Sequence, residues 1–451
     1  MVRASCEFTT MGDPFLLKDK SKSYQNQFAN IYFMRLNALR KGVIAHAAER
    51  WNQTDAKHVR RVLDVQKGER SYIVGTVYME MRLKPNVLDD IGKDHNVIAT
   101  TIRDKIWSED DALMLEDESG RIKLVGSVLE KHRIVTGVIM AALGCENAYG
   151  EFEVADLCFT EPAPRMTPQT DAMDVDGDGS LVAFVSGFDF GPETTDSEMP
   201  QELLLEYLSS DAGHLDDFSG RISRLVIVGN SIAPPDDEDE NNTDDEAVEA
   251  ELNEEPEPEK LHEPVLLRFG ELLMDLCREL PVHLMPGPTD PTGSAIPQQP
   301  IPGSMFGDVN LSQNLRCETN PSLFSFDGQG VLVISGQNID DMCKYFPEPR
   351  VDRLGMAGDT LRWRHIAPTA PDTLWCYPYF DRDPFALKES PHVYVIGNQP
   401  DYRTELVADE DGDPVRIVLV PSFAKTQTIV MLNTKTLEVT PVMFKMAGWK
   451  L

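Results

Sequence analysis

Apolar positions recur at a helical period early in the chain and switch to a period near two from Ser71 onward. Phe28, Ile31, Tyr32, Met34, Leu36 and Leu39 fall about 3.6 residues apart, and more apolar positions follow from Val43 to Val65, so residues 21–66 read as helical. Thr54 and Asp55 predict the cap of a helix running through His58 and Val62. Beyond Ser71, YIVGTVYMEMRL reads as a strand and DALMLEDESGRIKLVGSV as a hairpin around an Asp117–Gly120 turn. IVTGVIMAALG and EFEVADLCF add two strands linked by residues 145–150. Five short strands within roughly 90 residues predict a small Greek-key barrel, an OB-fold.

Residues 160–180, TEPAPRMTPQTDAMDVDGDGS, read as a Pro/Asp/Gly-rich linker. Its DVDGDG resembles the start of a calcium loop, but no Glu follows at the twelfth position and no helices flank it. From residue 182 strands and helices alternate. The strand at 182–186, the helix PQELLLEYLSSDAGH, the strand at 224–229, the helix VLLRFGELLMDLCREL and the strand VHLMPG predict sheets covered by helices. Strands at 331–334, 392–396, 415–420 and 428–432 predict a mixed sandwich core.

At 451 residues the chain has room for two or three domains, and 41% apolar content supports a real core. No run of about 18 apolar residues predicts a membrane span, and the first twenty residues lack the apolar segment of a signal peptide. Seven scattered cysteines without a C-x-x-C fit reduced thiols and argue against a metal cluster of this chain's own. The formal charge of −33 is uneven, because residues 236–259 hold fourteen acids and no base. That segment reads as a disordered surface loop, about 234–260. The remainder is still acidic and would repel a phosphate backbone. Arg35, Arg40, Lys41, Arg60 and Arg61 form a candidate basic patch, the alternative being a solvated helix face. Tyr72 and Tyr78 sit where an OB-fold presents aromatics to single strands, with protein binding or plain core as alternatives.

Four glycine turns then stand out. VAFVSGFDFG, LVIVGN, VHLMPGPTDP and HVYVIGNQP end apolar runs where a two-metal phosphoesterase places its Asp, Asn and His ligands. Against that pattern Gly187 stands at an Asp position, Asp189 at a His and Asn230 at the bridging Asp. Pro288 and Thr289 replace an Asn and a His, leaving Asp290, and Asn398 and Pro400 replace two imidazoles. His365 is a candidate surviving ligand or a structural residue. No G-x-S-x-G, P-loop or H-E-x-x-H string is present. Ser186 and Cys376 lack the spacing of a nucleophilic set, and a buried thiol is the better reading of Cys376.

LMPGPTDPTGSAIPQQPIPGSMF, ISGQNIDDM, RHIAPTAPDTLWCYPYFDRDPF, SPHVYVIGNQPDY, VPSFAKTQTIVMLN and SKSYQNQFANIYFMRL together resemble the B subunits of eukaryotic DNA polymerases over nearly the whole chain, the delta branch above alpha and epsilon. The resemblance implies an α+β multidomain fold: an OB-fold barrel plus a calcineurin-like phosphoesterase sandwich, inactive, with helices on its outer faces. It divides the chain into an N-terminal helical segment at 1–45 packing on the phosphoesterase-like domain, an OB-fold domain with a leading helix at 46–160, a linker at 161–180 and the phosphoesterase-like domain at 181–451.

It further implies a nuclear, non-catalytic scaffold without a cofactor, acting in DNA replication and repair. Its partners would be the cysteine-rich, iron–sulfur C-terminal domain of the catalytic subunit and the N-terminal domain of a third subunit. The polymerase zeta catalytic subunit would be a further partner in translesion synthesis, and the sliding clamp and DNA would be indirect ones. The long acidic insertion departs from the family pattern. Candidate partner-binding anchors are Tyr345, Phe346, Trp375, Tyr377, Tyr379 and Phe380, each with core packing as its alternative. Two other functions stay open: a residual metal-dependent phosphodiesterase using Asp189, Asn230, Asp290 and His365, and a single-strand-binding OB-fold protein.

Overall fold

A computed structural model describes residues 4–11, 14–18, 22–85, 104–167, 179–191, 198–209, 219–234, 263–407 and 414–444. The acidic stretch 236–259, the DVDGDG string up to its last glycine and most of the linker lie outside the described residues.

The period-two segments close into a barrel. Strands β3 (Ser71–Glu80), β4 (Ala112–Glu116), β5 (Arg121–Val125), β6 (Ile139–Glu146) and β7 (Phe152–Cys158) pair antiparallel as β3–β4–β5 and β3–β6–β7. A parallel β5–β7 pair completes the ring. Alternation sorts the side chains: Ile73, Val77, Met140 and Ala142 point inward, while Tyr72, Val74, Ile139 and Ala141 face a helix. That helix is α1 (Ala29–Arg50). Its buried row of Ile31, Arg35, Leu39, Val43 and Ala47 steps by four and lies on β6, β3 and β7.

Helix 21–66 is therefore too long an expectation. The chain turns at Trp51–Thr54, and Lys57–His58 forms β2, parallel to β3, followed by a short 3₁₀ turn at Val62–Asp64. Thr54 caps no helix; its hydroxyl donates to Trp51 O at 2.7 Å. The apolar spacing continues past Arg50, but strand pairing to β3 decides the conformation there. Residue 46 falls inside α1, so a boundary at 45/46 would cut a single helix that packs on the barrel.

The rest is a two-sheet sandwich. One sheet orders β1 (Phe8–Thr10), β12 (Ser322–Phe326), β13 (Gln329–Ile334), β14 (Val393–Gln399), β16 (Val415–Pro421) and β15 (Arg403–Val407). The other orders β11 (Leu315–Cys317), β10 (Val282–Met285), β9 (Ile222–Val228), β8 (Leu181–Val185), β17 (Thr428–Asn433) and β18 (Val439–Met443). Continuous apolar runs follow from burial on both faces. Val182, Phe184, Val226, Val228, Val331, Val333, Val393 and Val395 fill the space between the sheets. The opposite face of the second sheet is covered by α2 (Glu198–Ser209) and α3 (Glu263–Glu279) through Leu204, Leu208, Phe269 and Leu273. On the first sheet, α4 (Gln337–Cys343) and α5 (Arg353–Arg362) cover Leu332, Ile334, Tyr394 and Ile396.

That last core is continuous with the barrel interior. The seam is also bonded: Ile106 N–H donates to Lys344 O at 3.0 Å, and Arg133 Nε meets Asp359 at 2.8 Å. At the N-terminus, β1 pairs antiparallel with β12 and Phe15 is buried, so the N-terminal segment packs on the body. None of the seven cysteines is in a disulfide.

Candidate functional site

Parallel pairing of β8, β9 and β10, and of β13, β14 and β16, sets the glycine turns at the C-terminal ends of neighbouring strands. That is where open α/β sheets gather their ligands. The turns meet there. Gly187 N–H donates to Gly229 O at 2.9 Å and Asp189 N–H to Asn230 O at 3.0 Å. Gly187 and Gly229 take positive φ, and so do Asp189, Asn230 and Asn398 at 49°, 54° and 56°. Three non-glycine residues in this sparsely populated region mark a strained rim.

Contact between the turns is close. A Cβ on Gly287 would lie 2.3 Å from Asn230 Oδ1. One on Gly187 would lie 3.0 Å from Asn398 Oδ1 and 2.8 Å from Ser422 Oγ. The two amide oxygens thus fill the space in which side chains at 187 and 287 would begin. Neither has a hydrogen-bond partner among the described residues; each faces a glycine Cα, a weak donor at best. Asn398 is tied down by its amide nitrogen, which donates to Ser335 O at 2.8 Å and Val228 O at 3.2 Å.

Asp290 is buried, with both oxygens turned to the backbone. Oδ1 accepts from Ser231 N–H at 2.8 Å and Ile232 N–H at 3.0 Å, and Oδ2 accepts from Gly287 N–H at 2.7 Å. Burial pushes its carboxyl up to about 7, against the pull of these amides. Thr289 Oγ1 donates to Ile232 O at 2.6 Å, while Pro288 and Pro400 are exposed. Asp189 is raised by burial, with Lys425 and a 3.4 Å contact from Ser422 Oγ opposing. Behind the rim, Asn320 Nδ2 donates to Gln298 Oε1 at 2.8 Å, Ser335 Oγ at 2.6 Å and Gln337 Oε1 at 2.9 Å. Gln298 Nε2 in turn donates to Gly287 O at 2.8 Å. Every member of this network is neutral. Among the described residues no group of three or more His, Cys, Asp or Glu is placed to hold a metal ion.

His365 lies outside this constellation. Its Nε2 meets Asp383 Oδ2 at 2.8 Å, and Arg35 Nε meets the same oxygen at 2.8 Å. Burial lowers the imidazole to about 4. Burial raises Asp383, but His365 and Arg35 outweigh it and hold the carboxyl well below the usual range. Arg35 also donates to Gly137 O, Pro368 O and Ala370 O at 3.3, 2.7 and 2.6 Å. It is therefore no part of a surface basic patch: at 0% exposure it is the largest fully buried side chain among the described residues. Arg40 is bonded to Glu118 at 2.6 Å and Arg61 to Asp64 at 2.7 Å. Of the barrel tyrosines, Tyr72 is buried between Trp51 and His58, and Tyr78 lies under Lys84 and Arg121. Ser186 and Cys376 are buried; the serine hydroxyl donates to Val420 O and Pro421 O, and burial pushes the thiol up to about 12.

The aromatic anchors divide. Tyr345, Phe346, Tyr377 and Tyr379 are buried in this chain's own core, which is the core-packing alternative and leaves them no free docking surface. Trp375 and Phe380 are 57% and 60% exposed. Two more aromatics join them that the sequence does not mark as anchors, Tyr24 at 75% and Phe28 at 49%. Their signal is weak in sequence, a pair of rings in the polar stretch SKSYQNQF. Ser23 N–H donates to Tyr377 OH at 2.7 Å, Asn26 Nδ2 to Pro378 O at 3.3 Å, and the Tyr24 and Tyr377 rings sit 5.5 Å apart.

The model of the DNA polymerase delta subunit OB-fold domain matches residues 27–157, and the model of the DNA polymerase alpha/epsilon B-subunit family matches residues 182–404. The chain is 34% identical to a DNA polymerase delta small subunit from Saccharomyces cerevisiae, over 94% of this chain and 91% of that one. It is 34% identical to the small subunit from Arabidopsis thaliana, over 97% and 95%. It is 30% identical to DNA polymerase delta subunit 2 from Drosophila melanogaster, over 98% of each.

Proposed function

Because the chain belongs to the family of DNA polymerase delta small subunits, we propose that it is a non-catalytic accessory subunit of that polymerase and holds the catalytic subunit. The observation that carries the non-catalytic part is the closed rim. A two-metal hydrolase needs carboxylates and imidazoles around two cations and an open position for water. Here amide oxygens sit against glycines at 187 and 287, and Asp290 spends both oxygens on backbone amides. We read this as a degenerate phosphoesterase centre kept as a structural junction.

In this reading the subunit works in the nucleus, in replication and repair. It binds the cysteine-rich C-terminal domain of the catalytic subunit and the N-terminal domain of a third subunit, and it is shared with polymerase zeta in translesion synthesis. Tyr24, Phe28, Trp375 and Phe380 are the docking face for the catalytic subunit. They are large aromatic side chains left 49–75% exposed, the residue type that the cores of interfaces favour. Paired charges on the barrel, Lys123–Glu151 at 2.9 Å and Arg121–Glu116 at 2.9 Å, weigh against strand binding there.

The test is co-expression with the catalytic subunit and with its C-terminal domain alone. A stoichiometric complex is expected, with no bound Mn, Fe or Zn contributed by this chain. Failure to bind either form overturns the proposal, as does stoichiometric metal with phosphodiester hydrolysis that is lost in Asp290→Ala.

A further inference from the structure

We propose that Arg224 and Arg316 form a binding site for a phosphate-class oxyanion at the open side of the sandwich, beside the N-terminal strand. Strand β11 is the edge of the second sheet, and β1 is the edge of the first. His283 on β10 stands opposite Val226 on β9 and Arg316 on β11. Arg224 lies two residues before Val226, so Arg224, His283 and Arg316 share the face turned toward the first sheet. Phe8 closes the gap there. Its ring lies 4.4 Å from the His283 ring and 5.9 and 5.7 Å from those of Phe324 and Phe326. Both guanidiniums converge on the same ring, Arg224 at 4.8 Å and Arg316 at 5.1 Å from its centroid.

Neither guanidinium has an acid of its own. In a chain with 75 acids against 42 lysines and arginines, no carboxylate lies within ion-pair distance of either one among the described residues. Glu318 is bonded through Oε1 to His283 Nδ1 at 2.9 Å. Asp327, the other acid felt by Arg224, accepts from the Glu7 N–H and from the Ser180 and Thr434 hydroxyls. Arg224 is half-buried and donates to His283 Nε2 at 3.4 Å and to Cys6 O at 3.2 Å. Its buried Nε has no partner among the described residues. Burial lowers its proton affinity and Arg316 lowers it further, with the Cys6 thiol and Asp327 opposing. A guanidinium withdrawn from water without an acid is costly, and an aromatic face offsets only part of that. Arg316 is exposed, and its guanidinium makes no hydrogen bond to a described residue. An oxyanion between the two forks accepts from both. Phosphate fits because its tetrahedral oxygens take N–H bonds from forks that arrive from separate strands, whereas a planar carboxylate matches a single fork.

Equilibrium dialysis of the full chain against radiolabelled inorganic phosphate, at constant ionic strength, tests the site. One equivalent per chain is expected. Arg316→Gln takes away the fork at an exposed position and should weaken binding about tenfold or more. Arg278→Gln removes an exposed arginine paired with Asp275 on α3 and should leave binding unchanged. Phosphate should also slow hydrogen exchange at residues 6–10 in the parent and not in Arg316→Gln. O-phosphoserine in place of phosphate separates the two sources of the anion. Tighter binding of O-phosphoserine assigns the site to a phosphorylated side chain, and tighter binding of inorganic phosphate assigns it to the free ion; either supports the site when Arg316→Gln abolishes it. No binding of either anion, binding that Arg316→Gln retains, or equal displacement by acetate overturns the proposal.

Discussion

His365 donates its Nε2 proton to Asp383 Oδ2 across 2.8 Å, while the backbone N–H of Ala367 reaches His365 Nδ1 at 3.3 Å. The two contacts fix one neutral tautomer in a fully buried site. Arg35 supplies the positive charge that Asp383 requires, so a protonated His365 would be a second cation beside it.

That arrangement makes acid destabilising. The folded imidazole stays neutral down to about 4, whereas the unfolded one protonates near 6.5. Stability is therefore complete above 6.5 and falls as pH drops from 6.5 to 4, by about 3 kcal/mol for this group. The Asp383 shift acts lower, beneath the ordinary aspartate value of 3.8. His365→Gln keeps an N–H for Asp383 and has nothing to titrate. Its Tm should fall less steeply than the parent's between pH 6.5 and 4.5. Parallel curves for the two proteins would contradict the assignment.

Burial should also separate two of the arginines that join barrel and sandwich. Arg35 and Asp383 are sealed, at 0% and 1% side-chain exposure, whereas Arg133 and Asp359 keep 27% and 13%. Arg35→Met leaves Asp383 charged in a dry site and should cost about 3–5 kcal/mol. Arg133→Ala leaves Asp359 near water and a second partner, Arg362 at 3.0 Å, and should cost about 1 kcal/mol or less. Urea unfolding of each variant checks the ratio.

Asp290 tests how its carboxyl is charged. Both oxygens accept backbone N–H bonds, so replacing either with an NH2 group sets donor against donor. Asp290→Asn should therefore lose about 2–3 kcal/mol at pH 7.5. A near-neutral result would mean that the acid is protonated in the folded protein and already carries a hydrogen there.

The double alternation at Val331–Ile334 was legible because both faces of that strand are buried and nothing polar interrupts the run. Helix α1 was legible, but not its end: Lys57 and His58 leave the helical period to pair with β3. Arg35 shows how a charge can mislead. Its place in the row Ile31, Arg35, Leu39, Val43, Ala47 marks a buried position, yet a lone arginine reads as surface until Asp383 is seen to meet it. The rim residues were located turn by turn from sequence, because glycine strings after apolar runs survive in one dimension. What the sequence did not reveal is that the turns touch. The reach of Asn230 Oδ1 toward Gly287 depends on two strands lying side by side. Burial of Tyr345 and Tyr379 beside exposure of Trp375 and Phe380 was equally hidden, since aromatic content is the same in both.

In the proposed reading of the rim as a degenerate phosphoesterase centre, adding carboxylates should not create a metal site. Gly187→Asp with Asn230→Asp places two carboxylates at the positions which that reading assigns to metal ligands. At 187, however, a Cβ meets Ser422 and Asn398 at 2.8–3.0 Å, and φ is 65°, a conformation that a side chain rarely adopts. At 230 an added negative charge faces Gly287 with no donor in reach. The double variant is expected to lose more than about 2 kcal/mol and to bind no stoichiometric Mn2+ by elemental analysis after dialysis. Asn230→Asp alone isolates the charge from the steric term and should account for the smaller share of the loss. Tight Mn2+ binding by the double variant, with stability raised rather than lowered by the metal, would show that the rim can still open and that its closure is a matter of ligands alone.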